Sequence, residues 1–374
     1  MAPFRFIHTS DLHLGRRFGT YSEDIRGRLV EARHTAINRI ADAARSRQAR
    51  DVLVAGDVFD TETPSESVMR QALVAMQLAE GVHWWIIPGN HDSLAAEPLW
   101  DRFREYAPEN VHLIDTPKPI ELALGVVLLP APATHRYTGD DLTVWMSGSA
   151  TEGKVRIGLA HGSVTTFGGE ESGPETIPPD RASSADLDYL ALGDWHGYVR
   201  IDSRTYYCGA PERDRFKHSG RGICLAVTID GPRTVPVVEQ VEIGRFDWTE
   251  INLELVPSQD AAQALRDTLP RGAVRRDMLL RINANGYVGM GDHERLKQEA
   301  AAVGPEFGYF DLCDDGLSIE CDEVELDHIA KRGALRVAAD RLYDDSKQAY
   351  VEEDRRIATA ALQRLYSFTN AAER

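Results

Sequence analysis

Five short clusters of acidic, imidazole and amide side chains punctuate the first 200 residues: Asp11-Leu12-His13, Gly56-Asp57-Val58-Phe59-Asp60, Gly89-Asn90-His91-Asp92, His161-Gly162 and Gly193-Asp194-Trp195-His196. Their donors are carboxylate oxygen, imidazole nitrogen and amide oxygen, a set that suits Mn, Fe, Zn or Mg. The lack of thiolate among them argues against a structural zinc site. Asp11, His13, Asp57, Asn90, His161, Asp194 and His196 are too many for one tetrahedral ion. They suit two ions about 3.5–4 Å apart that share a carboxylate, acidify a water and clamp phosphoryl oxygens for in-line attack. Asp57 is the expected shared ligand, because the glycine before it tolerates close approach. Each cluster alone is a common chance pattern. Their joint occurrence is what points to metal chemistry.

Every cluster follows an apolar run of strand length, at residues 4–8, 51–55, 83–88, 155–160 and 189–192. Between the first two runs, residues 22–47 repeat Ile25, Leu29, Ile37, Ile40 and Ala44 at helical spacing. A second helix is expected over residues 65–79, with Val68, Ala72, Leu73 and Met76 on one face and Pro64-Ser65 at its start. Alternating strands and helices imply a layered α/β core, in which loops beyond the strand ends converge on one place. Residues 167–184, rich in Gly, Pro, Ser and Glu, read as an insertion. Short β-runs follow at 206–208, 223–229 and 235–243, with a boundary near Gly244. Residues 246–325 then read β-α-β-α-β (250–255, 258–269, 278–284, 291–303), the last strand being a hairpin through Asp314-Asp315-Gly316. The chain from 326 to 368 reads as two helical segments broken near 344–346.

The order DxH, GDxxD, GNHD, H, GxxH resembles the calcineurin-like metallophosphoesterases. HTSDLHLG (8–15), GDVFDTETP (56–64), GNHD (89–92) and AHGSV (160–164) resemble more closely the branch of SbcD-type DNA-repair nuclease subunits, whose partner is an SMC-like ATPase. YCGAPERDRF (207–216) is a fainter likeness. The resemblance implies an α/β fold, a four-layer α/β/β/α sandwich over residues 1–244. A small α/β capping domain (245–326) and a helical ATPase-binding tail (327–374, docking through 327–370) would follow. It implies that Asp11, His13 and His196 hold one ion and Asn90, His161 and Asp194 the other, with Asp57 between them. His91 would sit over the scissile phosphate and protonate the leaving oxygen. Asp92 would hydrogen-bond His91 and keep it charged and oriented. The implied activity is Mn-dependent cleavage of DNA, in repair or defence, by a cytoplasmic homodimer that pairs through the 65–79 helix and the helix after GNHD. Two other readings stay open: a small-molecule or protein phosphoesterase, and a catalytically weak scaffold of an ATPase complex. One departure stands out. The family reads GHxH in the last cluster and this chain reads GDWH, so Asp194 replaces an imidazole. The added carboxylate favours harder ions and weakens acidification of the nucleophile.

The net charge of −17, from 59 acids and 42 bases, argues by itself against a nucleic-acid partner. The charge is uneven, however. Residues 1–50 hold ten Arg against five acids, beside the first metal cluster. Residues 311–327 hold eight acids and no base, read as a solvated hairpin face ahead of a docking surface. No apolar run approaches the roughly 18 residues of a membrane span, and four cysteines without a CxxC pair suggest a reducing, cytoplasmic setting. His8 reads as structural. Arg16 and Arg17 read equally as phosphate contacts or solvated side chains. Trp84 and Trp85 read as sheet packing. Trp195 reads as packing ahead of stacking on a base. Leu335, Ala338, Ala339 and Leu342, then Ile357, Ala361, Leu365 and Phe368, form amphipathic stripes that pack on the chain itself or on a partner helix.

Overall fold

The computed structural model describes every residue except 1, 137–138, 150, 152, 165–176, 258, 273, 322, 349 and 373–374. The first part of the 167–184 stretch therefore lies outside the described residues. The chain divides into two compact units, 1–247 and 248–374.

The first unit contains strands β1 (Phe4–Thr9), β2 (Asp51–Ala55), β3 (His83–Ile87), β4 (Val111–Leu113), β5 (Ile120–Ala123), β6 (Val126–Ala131), β7 (Val155–His161), β8 (Tyr189–Gly193), β9 (Val199–Arg200), β10 (Thr205–Tyr207), β11 (Ile223–Ile229) and β12 (Val237–Glu242). Its helices are α1 (Glu23–Ser46), α2 (Glu66–Gln77), α3 (Glu97–Tyr106) and the one-turn α4 (Arg181–Ser184). Two six-stranded sheets form, in the orders β12-β11-β1-β2-β3-β4 and β5-β6-β7-β8-β10-β9. Strands β1 to β4 run parallel, as do β6, β7, β8 and β10. Antiparallel strands close both edges of the second sheet and one edge of the first.

Alternation along the strands builds the layers. Ile7, Val52, Val54 and Ile86 face the helical side and pack with Ile37, Ile40, Met69, Leu73 and Trp100. Phe6, Leu53, Ala55 and Ile87 point the other way, into a core shared with Ile157, Leu159 and Tyr189 of the second sheet. The outer face of that sheet packs Leu129, Leu190 and Leu192 on Met146 and Ala182. The result is the expected α/β/β/α order. Among the described residues, the last layer is reduced to α4 and a 3-10 turn at Val144–Gly148.

The helices at 22–47 and 65–79 form almost as read. Ser65 caps α2, its side chain accepting from Val68 N at 3.3 Å. Strand β6 was not anticipated: Pro130 interrupts its β-type residues and no chemical cluster follows it. It is nevertheless buried along its whole length.

Strand β13 (Asp247–Leu255) leads into the second unit, followed by α5 (Ala261–Thr268), β14 (Met278–Gly289), α6 (Met290–Val303) and β15 (Tyr309–Glu320), and the sheet runs in the order β13-β14-β15. The expected hairpin at 314–316 is not there. β15 continues through it, parallel to β14, and the register slips between Asn283 and Asn285 on one strand and between Cys313 and Gly316 on the other. Turn-type residues here make a bulge, which serves local twist as well as reversal. Helices α7 (Glu323–Ile329), α8 (Ala334–Gln348) and α9 (Glu352–Ala372) follow. The break between the last two falls after residue 348. Residues 344–346 stay within α8. Leu326, Ile329, Ala339, Leu362 and Tyr366 form their common core with Met290. No described helix is long and apolar enough to cross a membrane.

Candidate metal centre

The clusters after β1, β2 and β3 come from one sheet and those after β7 and β8 from the other. Backbone bonds lace the first two together: Asp11 N to Gly56 O (3.1 Å), His13 N to Asp57 O (3.0 Å) and Leu14 N to Val58 O (2.8 Å). Asp11, His13, Asp57 and Asp194 all take left-handed backbone, with φ of 54°, 44°, 55° and 101°. For non-glycine residues that conformation costs on the order of 1–3 kcal/mol each and persists where surrounding structure over-determines it, typically at functional sites. Two glycines make room. A Cβ on Gly56 would enter the His161 ring, and one on Gly89 would enter the Asp57 carboxylate.

All seven expected donors meet, in two groups. In the first, His13 Nε2 and His196 Nε2 lie 3.1 Å apart, and each is 3.9 Å from Asp11 Oδ1. In the second, His161 Nε2 lies 3.3 Å from Asn90 Oδ1, 3.6 Å from Asp57 Oδ1 and 3.8 Å from Asp194 Oδ1. Asp57 faces both, since its Oδ2 is 3.5 Å from His13 Nε2. Ligands about 2.0–2.2 Å from one ion are separated by distances of this order.

The proton positions favour a cation. His13 Nδ1 lies 3.3 Å from Asp60 Oδ1, and His196 Nδ1 lies 3.1 Å from Asp214 Oδ2. His161 Nδ1 is 2.7 Å from the carbonyl of Ala55. A proton on Nδ1 facing each of these oxygens would leave Nε2 pointing inward as an acceptor, the tautomer that metal-ligating imidazoles adopt. In that tautomer the two Nε2 atoms of His13 and His196, 3.1 Å apart, would face each other as acceptors, an arrangement that a shared cation relieves. Burial pushes the His13 imidazole well below its ordinary range, so an extra proton is disfavoured there. Burial also pushes the Asp57 carboxyl well above the usual range. Burial opposes charge on His161, but Asp57, Asp11 and Asp194 outweigh it and raise that imidazole to about 9. The donor set, spacing and charge thus fit divalent ions.

Asp60 and Asp214 were given no role by the sequence. Asp60 sits inside a cluster already singled out, and Asp214 inside the fainter ERDRF likeness; the need of a ligating imidazole for a carboxylate or carbonyl at its outer nitrogen is the signal that would have found them. Asp214 is held well below the ordinary carboxylate range: burial opposes this, but His196, Arg33 and Arg16 outweigh it. Arg16 Nη1 reaches both orienting acids, Asp60 at 3.4 Å and Asp214 at 3.2 Å. Arg33, fully buried on α1, donates to Leu12 O at 2.7 Å. Ser163 donates to Asp194 Oδ2 at 2.8 Å.

One expected contact is replaced. Asp92 does not bond the His91 ring. Its carboxylate, fully buried, accepts from Phe59 N at 3.0 Å and Gly89 N at 2.7 Å. The turn leaves those two amides without partners, and the nearest acid takes them. His91 Nδ1 instead meets the Asp60 carbonyl at 3.0 Å, and its backbone N–H donates to Asp57 Oδ1 at 2.9 Å. The ring borders a cavity of about 250 Å³ together with Asp57, Asn90, Asp194 and His196. His8 is buried and joins the sheets, bonding the Tyr189 hydroxyl at 2.9 Å and Leu192 O at 3.2 Å.

The sequence profile of the calcineurin-like phosphoesterases matches residues 4–198, just over half of the chain. The chain belongs to this family. Members bind divalent metals, and the donor groups above lie within the matched region. Among relatives of this calcineurin-like chain, YhaO of Bacillus subtilis, described as an uncharacterized metallophosphoesterase, is 28% identical over 247 residues, 62% of this chain and 59% of its own. An SbcCD nuclease subunit of Escherichia coli K12 is 37% identical over 95 residues, 24% of this chain and 22% of its own. Its counterpart in Staphylococcus saprophyticus is 25% identical over 226 residues, 53% of this chain and 58% of its own. The chain thus spans less than two thirds of each relative.

Proposed function

We propose that this phosphoesterase is a DNA nuclease that hydrolyses phosphodiester bonds with two divalent ions, Mn foremost. Asp11, His13 and His196 would hold one ion, Asn90, His161 and Asp194 the other, and Asp57 would serve both. The observation that carries the reading is Asp57, which turns one carboxylate oxygen to each donor group. Bound ions would supply Lewis acidity, neutralising the phosphoryl oxygens and acidifying the attacking water. The chain's own residues do the rest. Asp60 and Asp214 hold two imidazoles in their ligating tautomer. The Asp60 carbonyl takes His91 Nδ1 and leaves Nε2 for a ligand in the cavity. A protonated His91 there donates to the leaving oxygen. Asp92 positions rather than activates, by tying the second cluster to the third.

The likeness to two SbcCD subunits supports DNA as substrate and an SMC-like, SbcC-type ATPase as partner, in repair or defence. The C-terminal helices offer exposed apolar side chains for such a partner: Val337 is 67% exposed, Ile357 61% and Phe368 73%. Val74 and Leu78 at the end of α2, with Tyr106 on α3, suit a homodimer contact. Four cysteines with no disulfide among them suit a cytoplasmic setting. The test is cleavage of linear DNA by the full chain with Mn, alone and with the ATPase. His91→Ala should abolish cleavage while mass spectrometry still finds two ions per chain. Intact DNA with efficient hydrolysis of a phosphomonoester would favour the small-molecule reading instead.

A further inference from the structure

The cavity beside the donor groups has a second wall that contributes no metal donor. Trp195, Arg215, Lys217 and His218 form it. Trp195 lies between Asp194 and His196, so the segment that carries two donors also carries an indole at a fixed distance from them. The ring is half-buried. One part packs with the apolar cluster on the outer face of the second sheet, and the rest borders the cavity. His218 meets the indole edge-on, with ring centroids 5.2 Å apart. Gly197 permits this pairing, since a Cβ there would come within 2.7 Å of His218 Nδ1 and 2.8 Å of Trp195 Nε1. Lys217 Nζ lies 5.0 Å from the indole centroid, over its face, and that side chain is exposed.

We propose that Trp195 is a stacking platform for a nucleobase next to the scissile phosphate, with Lys217 passing from the ring to the adjoining phosphate. The proposal rests on the phosphodiesterase reading and narrows its substrate to nucleotides whose flanking base is unpaired. An indole face accepts any base, because every base has a π-face. Lys217 stands over that face in an exposed cation–π contact, a weak kind of interaction for which a base can compete. Once displaced, its ammonium stands beside a polyanion, on the same wall as Arg215. A base inside a duplex is already stacked and paired, so the platform favours single-stranded or frayed ends.

Three diesters with one leaving group test it in the full chain with Mn: thymidine 5′-(p-nitrophenyl) phosphate, its 3′ isomer, and methyl p-nitrophenyl phosphate. The expected result is a preference of roughly five- to 150-fold in kcat/KM for one thymidine isomer over the methyl ester, the range that stacking one base supplies. Trp195→Leu should bring that ratio close to one, and Trp195→Phe should retain most of it. Because the ratio is taken within each variant, partial misfolding cancels. A wild type without preference for either isomer, or an undiminished ratio in Trp195→Leu, overturns the platform while leaving the phosphodiesterase reading intact. Failure to hydrolyse all three overturns both.

Discussion

His13 and His196 meet through their Nε2 atoms at 3.1 Å, although the two residues stand 183 positions apart and on loops from opposite sheets. Asp60 and Asp214 lie 3.3 and 3.1 Å from the outer nitrogens, and a proton kept there would leave the inner pair to a cation. The orienting acids should therefore matter nearly as much as the donors. Asp214→Asn keeps the shape of the side chain and removes the charge. It should weaken metal affinity about 10- to 100-fold, with circular dichroism unchanged. Titration calorimetry with Mn on the metal-free protein reads this directly, and unaltered affinity would refute the orienting role.

Gly89→Ala should reduce the ions bound per chain, because its Cβ would enter the Asp57 carboxylate and the Asp57 backbone. Gly27→Ala is the control. It lies within α1 with nothing near its Cβ position, and should raise stability by about 0.5–1 kcal/mol. Metal content by mass spectrometry and urea unfolding separate the two effects.

Asp194→His should shift selectivity from Mn towards Zn, on the order of tenfold, by exchanging a hard anionic donor for a neutral nitrogen. Competition between the two metals measures it. Equal selectivity in both proteins would mean that Asp194 lies outside the coordination sphere.

His8 makes the fold acid-sensitive. Burial lowers its imidazole to about 3, far under the ordinary 6.5. Between those values the unfolded chain binds a proton that the folded chain refuses, so stability rises with pH across the window and is complete above it. From pH 7 to pH 5 this group alone should cost the fold roughly 2 kcal/mol. His8→Gln keeps polar bonding towards Tyr189 and Leu192 and does not titrate. The gap between its urea midpoints at pH 7 and pH 5 should be smaller than that of the wild type, and an equal gap would contradict the assignment.

Much of the fold was legible because the signals are local. Five apolar runs each end in a chemical cluster, α1 repeats its apolar residues every three or four positions, and Ser65 announces α2. The donors were legible for the same reason. What escaped was tertiary. Asp60 and Asp214 acquire their roles only when His13 and His196 arrive beside them. Asp92 was paired with its sequence neighbour His91, whereas folding offers it two amides, one of them from the preceding cluster. Asp314-Asp315-Gly316 carries the composition of a reversal, and only the pairing of β14 with β15 reveals that the strand goes straight on.

The two sheets supply the donors unequally but jointly: Asp11, His13, Asp57 and Asn90 from one, His161, Asp194 and His196 from the other. Neither donor group can be completed within a single sheet. Bound ions would accordingly act as rivets through the sandwich, resisting shear between its halves. Chelation should lower the melting temperature as well as stop the chemistry, and sliding of one sheet over the other by a few tenths of an ångström should be felt first as lost metal.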